Sequence, residues 1–412
     1  MDNSKNLLLS NKAFILVLIG QGASGLGNTF AIFLMSWLLY DLTGSIFAMG
    51  TLWFVYVFSM IICHIVSGPF LDRYNKKYVL IFSEWTKALI FVLPLLCLYF
   101  NILTIEILYL VVVLVGLVEP LFRPASLAYI VNIVREKELV KANSVLETIV
   151  QTMMIAGPAI GGILLGFFSP IYVIAFLIVV LSLAGILLSY LPGEQIEKNN
   201  IQPKQSWLKD FSEGIQFFIK NKLFLWIAGL IFFVNLGAGA TQPMLLPYVL
   251  EYLGGDSFQY GLISSGVAIG MLVGAVTIST VNKFKNIKAV MLGTLMLSGV
   301  SLFLLGFTNT FLLSLFFIIL FGFFVVIFNI NNTMLYQANV PQAIRGRVFI
   351  ARGLLARVGI PIGAISGGFL GEAIGINFLF NLIGVIIVIP CTIAWFIPSF
   401  NKLKDYKVKN VS

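Results

Sequence analysis

A few ionisable residues stand inside long apolar stretches of this chain: Glu84 and Lys87, Glu119 and Arg123, Glu147, and Arg357. A charge in such surroundings is costly, so each needs a partner or a task. Glu84 and Lys87 are three apart and share one face of a helix, where they can pair. Glu119 and Arg123 are four apart near the end of their run, and Glu147 is about one turn inside the next. Arg357 has no acid at helical spacing, which points to a partner distant in sequence. Apart from Arg357, such groups support an ion-pair lattice at the cytoplasmic surface, formed with Asp72 and Arg73, that latches the two halves and breaks in each cycle, or proton carriage by Glu119 or Glu147, or plain snorkelling to the surface. Asp41, at the end of the first run, is read as the cap of the following turn, with proton uptake as the alternative.

The uncharged polar residues near the middle of the runs are Gln21, Ser24 and Asn28 in the first, and Asn235, Thr241 and Gln242 in the seventh. Phe232, Phe233, Met244 and Phe324 accompany them. That lining suits a bulky amphipathic guest held by apolar contact and a few hydrogen bonds. No acid falls in the middle third of any run, so nothing marks the guest as a strong cation. Enzyme chemistry finds no footing. His64 is the single histidine, Cys63, Cys97 and Cys391 show no metal-ligand spacing, and no phosphate-binding glycine loop with its lysine exists, so no metal or cofactor is expected.

The elements that position these residues are apolar runs of membrane-spanning length. Of 412 residues, 59% are hydrophobic and 10% charged, with a mean hydropathy of +1.00, far from the balance of a soluble domain. Twelve spans are read, near 13–39, 46–70, 78–99, 103–122, 143–166, 170–191, 223–248, 258–280, 287–307, 310–332, 348–371 and 377–398. Runs this long form helices rather than barrel strands. The first run is too long for a signal peptide and lacks a small-x-small cleavage site. Of the 26 Lys and Arg, all but Lys87 and Arg357 fall in the two termini or in, or within about a turn of, every second link. That alternation places both termini in the cytoplasm. It also explains the net charge of +9 without a nucleic-acid partner. The longest polar link, 192–222, separates halves 1–191 and 223–412. Within it, Trp207, Leu208, Phe211, Ile215, Phe218 and Ile219 share a helical face, as in an amphipathic helix on the membrane surface.

Between the second and third spans runs Gly68-Pro69-Phe70-Leu71-Asp72-Arg73-Tyr74-Asn75-Lys76-Lys77. This resembles the signature loop of the major facilitator superfamily at Gly68, Asp72, Arg73, Lys76 and Lys77. It departs at Asn75, where that family has Gly, and Asn is the next residue to tolerate a left-handed turn. Gly157-Pro158-Ala159-Ile160-Gly161-Gly162 in the fifth span resembles the Gly-Pro motif of the family's drug antiporters, with plain small-residue packing as the alternative reading. Tyr40–Ser45, Phe122–Ala125 and Glu136–Ser144 resemble the branch holding macrolide-efflux permeases and siderophore exporters. Weak echoes link the halves: Asp72-Arg73-Tyr74 with Asn282-Lys283-Phe284, and Gly157-Pro158 with Gly359-Ile360-Pro361.

The resemblance implies an all-α membrane protein of two pseudo-symmetric six-helix halves with a binding site at mid-membrane between them. It implies a multi-pass protein of the cell membrane, acting as a monomer. Its task would be export of hydrophobic or amphipathic compounds in exchange for protons. Gly68, Asp72, Arg73, Lys76, Lys77, Gly157, Pro158, Gly161 and Gly162 would govern the conformational change. Asp41, Glu84, Glu119, Arg123, Glu147 and Arg357 would form ion pairs or couple protons. Gln21, Asn28, Asn235, Gln242, Phe232 and Met244 would line the substrate site. Export of one endogenous metabolite such as a siderophore, or lipid movement, is the competing task, and a membrane sensor or scaffold the remote one.

Overall fold

The computed structural model describes residues 7–193, 207–280 and 286–403, without the side chains of 65–73, 207–210 and a few single positions. Among the described residues, twelve helices are long and apolar enough to cross a membrane. In chain order α1 is Lys12–Thr43, α2 Ile46–Arg73, α3 Lys76–Tyr99, α4 Ile105–Ile133, α5 Leu139–Phe167 and α6 Pro170–Ser189. A shorter helix, α7, is Trp207–Lys220. Then come α8 Lys222–Pro247, α9 Ser257–Thr280, α10 Ile287–Leu305, α11 Phe311–Asn339, α12 Arg345–Ile374 and α13 Ile376–Phe396.

Each apolar run read from the sequence is one of these helices, with two notable overshoots. The fourth was expected to stop near 122 and the tenth near 332, but α4 continues to Ile133 and α11 to Asn339. The added turns are covered by protein. Ala125, Ser126, Tyr129 and Ile130 of α4 are buried, with Tyr129 donating to the Pro192 carbonyl at 2.9 Å. Asn11 caps two helices at once: its Oδ1 accepts from the first amides of α1, and its Nδ2 donates to Ile133 O at the end of α4 (2.7 Å).

The chain divides into two compact units. Unit 1 comprises residues 1–48, 55–199 and 256–265. In it α1 lies against α4, α5 and α6, and α3 against α4 and α6. The opening turns of α9 also belong to it, seated on α5 where Ser257 donates to Gly162 O at 3.0 Å. Unit 2 comprises 49–54, 200–255 and 266–412. There α8 lies against α12 and α13, and α10 against α11 and α13, repeating seven helices on the contacts of α1 with α5 and α6 and of α3 with α4 and α6. The first turns of α2 belong to unit 2, where Gly50 lets the backbone meet Ala364 and Gly368 of α12.

α7, expected on the membrane surface, also packs on unit 2: Phe218 is buried beside Tyr336 and Gly214 lies against the backbone of Arg347 in α12, while Ile219 stays exposed. Glu213 pairs with Arg347, so this helix is fastened to unit 2 by protein contacts.

Candidate functional site

Within unit 1 the pairing of Glu84 with Lys87 is present, at 2.6 Å, but its setting differs from the surface lattice expected of it. Both side chains are essentially inaccessible. Lys87 Nζ also donates to Ser24 Oγ of α1 (2.7 Å) and lies 5.7 Å from the centre of the Phe122 ring of α4. Gln21, expected to face a cavity, is buried on α1, where its Oε1 accepts from Ser126 of α4 at 2.9 Å. These groups tie α1, α3 and α4 together inside the bundle.

A second group follows α4. Glu119 was placed near the end of its span, but the longer helix puts it at the midpoint. Tyr56 of α2 donates its hydroxyl to the Glu119 carboxylate. One turn earlier, Gly116 lets α4 approach α2 closely, since a Cβ there would stand 2.8 Å from Tyr56 O and 2.9 Å from Ser59 Cβ. Arg123 pairs with Glu147 of α5, and Gln151 donates to Glu147 at 2.9 Å. Arg123 thus lies inside a helix, and its ion pair crosses to the next one. Tyr56 had no signal in the sequence, being one of 14 tyrosines and lying in an apolar run.

The glycines of the α5 motif sit at close helix contacts. A Cβ at Gly157 would overlap the Thr29 hydroxyl of α1, and one at Gly161 would lie 2.7 Å from Phe33 and 2.9 Å from Phe30. Gly162 meets the backbone of Ser257 and Gly261 at the start of α9. Pro158 has no N–H for the carbonyl four residues before it. Hydroxyls from two other helices serve the flanking carbonyls: Thr29 donates to Met153 O at 3.2 Å and Ser265 to Ile155 O at 2.6 Å. The echo in α12 packs likewise on α8, with a Cβ at Gly359 falling 2.6 Å from Phe232 O and one at Gly367 falling 2.7 Å from Ala240 Cα.

In unit 2, Phe232, Asn235 and Gln242 are half-buried along α8, while Met244, expected in a substrate cavity, is fully buried in the packed interior. Arg357 is exposed, about 200° round α12 from Gly359 and so away from α8. On α1, Asn28 Oδ1 is buried with no hydrogen-bond partner among the described residues, and both amide atoms of Asn332 on α11 are in the same condition. Asn332 was missed because an Asn next to Asn331 near the end of an apolar run reads as a helix end.

The signature loop is shorter than expected, because α2 runs through Arg73 and α3 begins at Lys76. Asn75 does not adopt a left-handed backbone: its φ is −63° and ψ 122°, and its side chain accepts from Lys77 N as the N-cap of α3. The side chains of Gly68, Asp72 and Arg73 lie outside the described residues, as does all of 282–284. Lys77 Nζ donates to Leu191 O (2.5 Å) beyond the end of α6. Lys288, at the matching place in α10, donates to Trp395 O (2.7 Å) at the end of α13. These lysines are C-terminal caps within each unit. Asp41 is exposed on the last turn of α1, and the turn is closed instead by Gly44, at φ 57°, whose N–H reaches Tyr40 O.

Twelve membrane-length helices, arranged as two units of matching internal order with ionisable groups in their interiors, define a polytopic transport protein. Among the described residues no group of three or more His, Cys, Asp or Glu could hold a metal. The family model for the Major Facilitator Superfamily matches residues 17–355 and 227–409, and the chain belongs to that family. It is a multi-pass membrane transporter and not an enzyme. Similar proteins include the multidrug efflux pump Tap of Mycolicibacterium fortuitum, 25% identical over 94% of this chain and 96% of that one. Macrolide efflux protein A of Streptococcus pyogenes is 21% identical over 83% of this chain and 84% of its own. The enterobactin exporter EntS of Escherichia coli is 24% identical over 76% and 73%. A bacterial homologue of the iron transporter ferroportin, solved in an inward-facing state, shares the fold with a TM-score of 0.71 at 14% identity, over 96% of this chain and 99% of that one.

Proposed function

We propose that this protein exports hydrophobic or amphipathic compounds from the cytoplasm, exchanging them for protons by alternating access of its two six-helix halves, 1–191 and 223–412. The observation that carries the reading is the near full-length similarity to a named multidrug efflux pump. In support, no phosphate-binding glycine loop with its lysine occurs in the given sequence, which is in keeping with coupling to an ion gradient. Glu119 and Glu147 are its candidate proton carriers, and Asp72 with Arg73 its candidate switch. Both termini face the cytoplasm in this reading, following the distribution of Lys and Arg. The protein acts as a monomer.

The test is export of a panel of fluorescent drugs from cells with and without a protonophore. Export should be present in expressing cells and collapse when the proton gradient is removed. Asp72→Asn should abolish export while the protein still reaches the membrane, and full export by that variant in everted vesicles would remove the switch role. A second reading, export of one endogenous metabolite, is favoured by the similarity to the enterobactin exporter. Deletion of the gene then causes retention of that metabolite in place of drug hypersensitivity.

A further inference from the structure

Three arginines open α12, and their surroundings differ. Arg347 pairs with Glu213. Arg345 and Arg352 are seven apart and share a face of the helix. Neither has a carboxylate within ion-pair distance among the described residues. Arg352 is half-buried. Its guanidinium carbon lies 4.6 Å from the centre of the Tyr336 ring of α11 and 5.6 Å from that of Phe349. One of its nitrogens donates to Thr333 Oγ1 at 3.3 Å. Stacking on two rings fixes the plane of the guanidinium and leaves the rest of its N–H edge to take an acceptor. Arg345 donates to Val340 O at 3.4 Å, and its Nε is buried with no hydrogen-bond partner.

Helix α11 adds a second, independent observation. Tyr336 is fully buried, closed in by Phe218 and Phe224, yet its hydroxyl has no hydrogen-bond partner among the described residues. Asn332, one turn earlier on the same face of α11, is also fully buried, with both amide atoms unpartnered. A buried polar group without a partner is costly, and so is a desolvated cation without a counter-charge. Here the two costs fall side by side, and every group concerned can donate a hydrogen bond. One anionic ligand would offset both. Two uncompensated guanidinium charges match a phosphate group, which carries about −1.5 to −2 at neutral pH. The depth is also right. With 29 residues, α11 matches the thickness of a bilayer including its headgroups, and Tyr336 is within a turn of the helix end.

We propose that Arg345, Arg352, Tyr336 and Asn332 form a binding site for a phosphoryl group at one end of unit 2. Its oxygens take the guanidinium N–H groups, the Tyr336 hydroxyl and the Asn332 amide. The group arrives either on an anionic lipid or as a free phosphate. Bound there, it ties α11 to α12 and stabilises the unit, whatever compound the protein transports. The inference does not depend on the exporter reading.

The test is thermal unfolding of the full-length protein in detergent. It is titrated with sodium phosphate against sodium acetate at equal ionic strength, and with phosphatidic acid against phosphatidylcholine. A phosphate source should raise the midpoint and its control should not. A rise with inorganic phosphate assigns the free anion, and a rise with phosphatidic acid alone assigns the lipid. Tyr336→Phe keeps the ring under Arg352 and removes only the hydroxyl. Without ligand its midpoint should be no lower than that of the wild type, since a buried donor without a partner is gone. With ligand its apparent affinity should fall about tenfold, the loss of one hydrogen bond to a charged group. Arg352→Gln should abolish the response, and Arg352→Lys, which keeps the charge, should retain part of it. No rise with either phosphate source, a rise matched by the controls, or one undiminished in Tyr336→Phe overturns the proposal. A ligand-free Tyr336→Phe protein less stable than the wild type does so too, because the hydroxyl would then be satisfied within the protein.

Discussion

The Glu84–Lys87 pair concentrates the electrostatic risk of the molecule in two side chains with no access to solvent. Desolvation of both charges is offset only while they face each other, with Ser24 and the Phe122 ring completing the lysine's surroundings. Removing one partner strands the other. Lys87→Met should therefore destabilise unit 1 by about 3–5 kcal/mol, whereas Glu84→Gln combined with Lys87→Met should recover most of that loss. Thermal unfolding of the purified protein in one detergent decides the matter. Equal loss in the single and the double variant would mean that packing volume, and not charge pairing, holds this site. Pairing at i and i+3 was legible in the sequence, because one helix fixes that geometry. The bond from Tyr56 to Glu119 was not, because it depends on how α2 and α4 are placed against each other, and spacing along one chain carries no such register.

Helix α5 meets α1 without space for even a methyl group at Gly157. Gly157→Ala should drive α5 off α1, costing about 1–3 kcal/mol by overpacking. Thr29→Ala in the same chain should return part of this, since it removes the overlapping hydroxyl but leaves the Thr29 Cβ at 2.8 Å. The readout is again the unfolding midpoint, and no rescue by Thr29→Ala would place the strain elsewhere. At this scale the sequence revealed the existence and order of the helices well, because each must satisfy its backbone within itself in lipid. It revealed their ends poorly at α4 and α11. Hydropathy detects transfer to hydrocarbon, and the last turns of these helices carry mixed residues such as Ser126, Tyr129, Leu335 and Tyr336 that are buried against protein instead. Local sequence also took Asn75 for a left-handed turn when the helix start needed an acceptor for its free amides.

Across the whole chain, the two units repeat one plan, down to Lys77 and Lys288 closing the ends of α6 and α13. A repeat of six helices has an even number of crossings, so it returns the chain to the side from which it started, and both halves then share one orientation. The distribution of cations chooses that side. Lys137, in the link from α4 to α5, belongs to the basic set, whereas the link from α3 to α4 around Ile102 has no Lys or Arg. Both positions are exposed, while the native Cys63, Cys97 and Cys391 are buried and open to replacement by Ala. In such a cysteine-free chain, Ile102→Cys should react with a membrane-impermeant maleimide in intact cells, and Lys137→Cys only after permeabilisation. The structure adds a complication that sharpens the test, because Arg123 is drawn into α4 and paired with Glu147, leaving Arg135, Lys137 and Lys141 to hold that link on its side. Changing those three to Gln should weaken the orientation signal at one link among seven basic segments, and the labelling pattern should survive. Inversion of the pattern by those changes would show that one link, and not the sum along the chain, sets the topology. Labelling of Ile102→Cys from the inner side alone in the otherwise native chain would invert the whole assignment, and outward export would become import.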